Sequence, residues 1–427
     1  MGKRRSKTMA KEIRIEEGKL KVIFEIRDNG VVELKQFDPA GRADVRERKR
    51  EAEDFYPITE VQMTGRGSRG MHAYKHNVSG GATDFTYQSH EILENEKGKE
   101  LVIHTATEYG VKAEYHMQFF TGVAAVQVWT VLKNEGTEAI GLEYVSSFIY
   151  QGLCQSGEKP YFEKTSVYTP HNSWDCESQW RKNDCREINL SGMAINGFNT
   201  PGFGMNRYCY GGHSSWSTCE YLPMGICEDT ECKETYFFQI EHSGQWLIEY
   251  GPSTGERLYV ALSGATEAEH GWWKNLKPGD TFTTVPAGFG VADGGVNEAM
   301  AELTGYRRKI RRPNEDDEKL NVVFNDYMNC LMGDPTEEKE KAIIDKAAEM
   351  GCEYYCLDCG WYDKGFWWDR VGEWKESPER FPNTLKAVCD YAKEKGMVMG
   401  LWLEIEVMGV ALSLIHISEP TRLLSIS

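Results

Sequence analysis

The 427 residues carry a net charge of −17. An acidic surface of this kind repels nucleic acid and anionic membranes, so neither is expected as a partner. The length allows two or three domains, and no stretch is long and apolar enough to span a bilayer.

No apolar run follows the basic start Lys3-Arg4-Arg5, so no secretory signal is read. Twelve cysteines in such a chain point to reduced thiols and a cytoplasmic location. Residues 1–12 are expected to be a disordered N-terminus.

Residues 13–297 read as β. Leu20, Val22, Phe24 and Ile26 alternate with polar positions, the period of a half-buried strand. Asp28-Asn29-Gly30 is a strong turn, and Val32 and Leu34 resume the alternation. Further strand patterns cover 101–105, 113–119, 125–132, 235–240, 246–250 and 257–262. Many strands with Gly-rich turns and little helical periodicity predict a large antiparallel sandwich.

Residues 298–319 read as a short helix and a charged linker. There the basic run 307–312 is offset by Glu315-Asp316-Asp317-Glu318. Over 320–411 the pattern changes again. A short apolar strand at 321–324 precedes Asp334-Pro335-Thr336-Glu337, which opens a helix with an apolar stripe of Ile343, Ile344, Ala347 and Ala348. Gly351 stops that helix. A second strand at 354–357, a second helix at 385–395 ended by Gly396, and a third strand at 397–403 follow. The order β-α-β-α-β, with strands buried on both sides, predicts parallel pairing and the first three β/α units of a TIM barrel. Eight strands close such a barrel, so this one is expected to be incomplete. Cys352, Cys356 and Cys359 have a tempting spacing, but no His lies nearby. Buried or strand-end thiols are the reading preferred over zinc, and no metal or cofactor is expected.

Working residues of a parallel barrel sit at the C-terminal ends of its strands. Asp326, Asp358, Glu404 and Glu406 each end a strand pattern. One such acid is as readily a helix cap. Four of them, with Trp361 and Trp374 nearby, suit a polyhydroxylated ligand, because each carboxylate oxygen accepts hydroxyl hydrogen bonds.

Five segments then converge on one family. Asn325-Asp326-Tyr327-Met328-Asn329, Leu357-Asp358-Cys359-Gly360-Trp361, Gly372-Glu373-Trp374, Arg380-Phe381-Pro382-Asn383 and Gly400-Leu401-Trp402-Leu403-Glu404-Ile405-Glu406 occur in order. In order and spacing they resemble family 36 glycoside hydrolases, the melibiase-type α-galactosidases. The β-rich front resembles that family's N-terminal β-supersandwich. The resemblance implies a retaining enzyme that releases terminal α-galactosyl residues from oligosaccharides, with a homo-tetrameric full-length form. It implies that Asp358, the first Asp of the family's Asp-Asp-Gly-Trp motif, binds galactose hydroxyls 4 and 6, with Cys359 standing where many members have the second Asp. Trp374 matches an aromatic residue of the sugar subsite. Trp174, within Asn172-Ser173-Trp174-Asp175-Cys176-Glu177, resembles a sandwich-loop Trp that reaches the pocket; a core Trp of the sandwich is the competing reading. The substrate-binding set is therefore Asp358, Trp361, Trp374, Glu404, Asp326 and Trp174. Alternatives are a raffinose-synthase-like galactosyltransferase and a non-catalytic carbohydrate-binding protein.

Retention needs a nucleophile and an acid/base carboxylate about 5 Å apart. The family places the nucleophile in a Lys-Trp-Asp motif after the fourth strand and the acid/base Asp after the sixth, and neither is found here. Glu404 and Glu406 share a strand face at roughly 7 Å along the backbone and align with neither position. No catalytic residue is assigned, and the chain as it stands is expected to be inactive. From Leu412 the sequence Leu412-Ser413-Leu414-Ile415-His416-Ile417 matches nothing expected after a third strand, so 412–427 is expected to be a non-native tail on a truncated chain.

Overall fold

The structure is a computed structural model that describes residues 11–44, 56–69, 75–191, 206–214, 216–253, 257–405 and 407–412. The chain divides into two compact units, with the boundary between Arg311 and Arg312.

The first unit is an antiparallel β-supersandwich. Among the described residues it holds sheets of ten, six and three strands. Alternation does what the sequence predicts at the front. Strand Leu20–Ile26 pairs with Lys11–Glu17 on one side and Val32–Pro39 on the other. Residues 11 and 12 thus join a strand rather than a disordered end. The six-stranded sheet is organised by Ile140–Leu153, a long strand not read from the sequence because its inner stretch is buried on both faces and shows no alternation.

One aromatic cluster ties the three sheets together. Phe37 of the three-stranded sheet meets Phe289 of the ten-stranded sheet edge-on at 4.9 Å, and Phe289 meets Phe148 of the six-stranded sheet at 4.3 Å. All three rings are fully buried. Such edge and offset contacts add to the apolar burial itself.

The helix expected as a linker is part of this unit. Val296–Ile310 buries Ala299, Leu303 and Tyr306 in a cluster with Phe120 and with Ile226 and Phe237 of the ten-stranded sheet. Its apolar stripe finds a sheet face, which a linker would not offer. The charged run after it forms a further short helix, Glu315–Lys319, capped by the Asn314 side chain on the Asp317 N–H.

The second unit is the predicted β-α-β-α-β. Strands Val323–Asn325, Tyr354–Leu357 and Val398–Leu401 form a parallel sheet in chain order. Helices Glu337–Glu349 and Thr384–Glu394 supply Ile344, Ala347, Val388 and Ala392 to a core shared with Tyr355 and Leu357. The first helix is capped by Thr336, whose hydroxyl accepts the Lys339 N–H, rather than by Asp334. Asp334 is drawn away by Arg380, 2.7 Å from it. The third strand stops at Leu401, short of the predicted end. The two outer strands leave Val323 and Val398 more than half exposed.

Candidate functional site

The site lies at the C-terminal ends of the parallel strands. Asp326 directly follows the first strand and Asp358 the second. Asp326 is buried and sits in the bridge region of backbone space (φ −87°, ψ 0°), which turns the chain sharply out of the strand. Its Oδ1 accepts the Asp358 N–H at 2.7 Å. The neighbouring Asn325 accepts the Tyr327 N–H and donates its own amide to Asp358 Oδ2 at 2.7 Å. Asp358 Oδ1 accepts the Cys359 N–H at 2.8 Å. Asp358 is thus fixed by three hydrogen bonds, one on its backbone and one on each carboxylate oxygen. Each oxygen keeps a second lone pair for an incoming hydroxyl.

The turn after Asp358 requires glycine. Gly360 has φ +91°, and a Cβ there would come within 2.2 Å of the Gly333 carbonyl oxygen. Cys359 faces inward and is 2% exposed. Burial, with the Asp358 charge beside it, pushes its thiol well up, so it stays protonated. It offers no second carboxylate at the position where relatives of the motif carry Asp.

The aromatic residues separate by exposure. Trp361 is 4% exposed: its indole packs edge-on against Tyr362 and beside Trp374, and Nε1–H donates to the Trp402 carbonyl at 3.3 Å. Trp374 and Trp402 are only half-buried and meet edge-on at 5.7 Å. Trp374 holds φ +52°, the left-handed region that a bulky residue rarely adopts. Burial raises the Tyr362 hydroxyl most, then Cys359, and the charges of Asp358 and Glu404 both add to the rise. Glu404, beyond the third strand, and Asp358 therefore act on one hydroxyl. Glu406 lies outside the described residues.

Trp174 belongs to the first unit, in the turn between strands Thr165–His171 and Gln179–Asp184. It is 80% exposed, so the core-Trp reading fails. Sequence reasoning missed Glu340, Asn325 and Trp402. Glu340 was legible in principle, because it falls on the same helical stripe as Ile344 and Ala347. Among the described residues no group of three His, Cys, Asp or Glu is arranged to hold a metal ion, and no helix is long and apolar enough to cross a membrane.

Strand-end carboxylates beside half-open indoles on a parallel β/α sheet, preceded in the chain by a β-supersandwich, define a β-sandwich protein with a barrel-type β/α unit whose candidate site lies at the strand C-terminal ends. Residues 281–425 match the Melibiase family, a match that runs into the segment expected to be a non-native tail. Alpha-galactosidase Mel36A of Lactobacillus acidophilus is 26% identical over 371 residues, which are 83% of this chain and 46% of that protein. An alpha-galactosidase of Escherichia coli is 33% identical over 182 residues, 41% of this chain and 24% of its own length. The crystal structure of the GH36 alpha-galactosidase AgaA from Geobacillus stearothermophilus shares the fold with a TM-score of 0.76 at 18% identity, covering 96% of this chain and 58% of that one. The chain is similar in sequence and in fold to family 36 α-galactosidases, and it spans about half the length of the relatives that match most of it.

Proposed function

We propose that this chain is the galactosyl-recognising portion of a retaining α-galactosidase acting on terminal α-galactosides. The observation that carries the reading is Asp358, held at a barrel-strand end by Asn325, Asp326 and its own turn. A carboxylate held in that way can take two adjacent sugar hydroxyls without reorganising. The half-open indoles of Trp374 and Trp402 supply apolar surface for the ring. The alpha-galactosidase names of the relatives support the substrate class. All twelve cysteines are free thiols, which favours a reducing compartment.

The chemistry of bond cleavage is a separate matter. A retaining mechanism needs two carboxylates flanking the scissile bond, about 5 Å apart. Asp326 is buried and committed to the Asp358 N–H, and Asp358 is assigned here to the sugar hydroxyls. On this reading the strand-end acids Asp326 and Asp358 serve binding, and neither is assigned as nucleophile. The 427-residue polypeptide is expected to give no p-nitrophenol from p-nitrophenyl α-galactoside above a mock purification. Turnover that is lost in Asp358→Asn but present in the unmodified chain would mean that the catalytic pair lies among these strand-end acids.

A further inference from the structure

Beneath the Asp358 turn lies a second carboxyl pair. Glu340 is fully buried on the face of helix Glu337–Glu349 that packs on the parallel sheet. Its Oε2 accepts the Tyr355 hydroxyl at 2.6 Å. Its Oε1 is enclosed and receives no donor from another residue. The Asp326 charge acts on the Glu340 carboxyl, and Asp326 is itself almost closed off, at 2% exposed.

Neighbouring carboxylates out of water disfavour each other's ionisation. A buried acceptor with no donor also costs about 1–3 kcal/mol. One proton between the two groups removes both penalties: it gives the enclosed oxygen its hydrogen bond and leaves a single charge. We propose that Glu340 and Asp326 hold one proton in common, and that this pair is the positioning device that locks the Asp358 backbone and so aims its carboxylate at the sugar. Glu340 touches no substrate; it acts through Asp326.

The electrostatics agree with the geometry. Burial, followed by the charge of Asp326, pushes Glu340 up to about 8. Burial pushes Asp326 up to about 6, the Asp358 N–H opposing it and the Asp358 charge adding to it. The other titratable groups facing the pair are Tyr355 and Cys356 from the second strand, Cys330 from the turn after the first, and Lys339 from the helix. Lys339 is engaged by Asp334, 2.5 Å away. The Lys339 charge lowers Glu340 without bringing it back to the ordinary carboxylate range, and a proton on the pair completes the neutralisation.

The proposal rests on Asp358 being the galactosyl-binding residue, and its test separates the two claims. In the 427-residue chain, Asp358 amide protection from hydrogen exchange and methyl α-galactoside affinity are measured at pH 6 and pH 9, on either side of the Glu340 value near 8. In the unmodified chain both are expected to fall by about tenfold at the higher pH, the equivalent of one unit of linkage. Glu340→Gln, whose amide donates permanently, is expected to stay at the pH 6 level throughout. Glu340→Ala is expected to be low at both. Protection that is flat with pH in the unmodified chain, or a Glu340→Gln variant that titrates as the unmodified chain does, overturns the proposal. If no sugar binds at pH 6 while Asp358 protection still titrates, the positioning pair stands and the galactoside reading falls. Should Glu340→Gln fail to fold, the assigned Glu340 carboxyl carbon in the unmodified chain decides by NMR: titration near the ordinary 4.5 overturns the shared proton.

Discussion

Asp326 Oδ1 accepts the backbone N–H of Asp358 at 2.7 Å, so the acid that ends one barrel strand fixes the acid that ends the next. The two positions are 32 residues apart and are brought together by parallel pairing of their strands. Asp326→Ala is expected to leave that N–H without its acceptor and to lower the stability of the second unit by about 1–3 kcal/mol. Hydrogen exchange on peptides from 312–412 under increasing urea checks this, with exchange in the first unit unchanged.

The aromatic contact among Phe37, Phe148 and Phe289 joins three sheets, so its loss affects all of them. Phe289→Ala is expected to cost the first unit about 3–5 kcal/mol, the range for emptying a buried aromatic site. Denaturant unfolding followed by exchange on first-unit peptides is the measurement. A cost below about 1 kcal/mol would mean that the sheets are held by other contacts.

Glu249 predicts an acid limit for the first unit. Its carboxylate is fully buried; Oε1 accepts the His76 N–H and the Tyr259 hydroxyl, and Oε2 accepts Arg207 Nη1 at 2.8 Å. Burial alone raises it, but His76, Tyr259 and Arg207 outweigh burial and hold it at about 2. A carboxyl depressed on folding contributes stability above its ordinary value of 4.5, and that contribution is lost as pH falls toward 2. Glu249→Gln is expected to destabilise the unit by about 3 kcal/mol at neutral pH, removing the buried one of the two carboxylates that pair with Arg207, and to flatten this acid dependence. Melting of both proteins across that pH window tests it.

Among the described residues, no strand pairs with the outer edges of the parallel sheet. Val323 and Val398 on its outer strands are 60% and 54% exposed, and Leu403 beyond the third strand is 52% exposed. Unpaired edge groups beside apolar side chains template association. The 427-residue chain is expected to aggregate on concentration, and Val323→Lys with Val398→Lys to raise its soluble yield. Light scattering at matched concentrations gives the comparison; equal scattering would mean that the edges are not the cause.

Much of this was legible in the sequence where periodicity is simple. The front hairpin, the second parallel strand and both barrel helices fall where alternation, caps and terminal glycines put them. The long strand Ile140–Leu153 was not, because burial on both faces erases the period. The helix Val296–Ile310 was visible as a helix but not as part of the sandwich, since docking depends on a distant sheet face. At the site, Asp326 and Asp358 were readable from their strand-end positions. Their hydrogen bond to each other was not, nor was the buried Glu340 beneath them, because spacing in the chain does not report which carboxyl loses its water. Trp361 and Trp374 looked equivalent as letters, and packing made one a core residue and left the other half-open.

The central claim is that the Asp358 mouth recognises a galactosyl group. Saturation-transfer NMR of the 427-residue chain with methyl α-galactoside tests it, with methyl α-glucoside as the epimeric control at hydroxyl 4. The account predicts transfer to the galactoside ring protons, weak transfer to the glucoside, and loss of the galactoside signal in Asp358→Asn with amide exchange elsewhere unchanged. Equal transfer to both sugars, or a galactoside signal that survives Asp358→Asn, would contradict it.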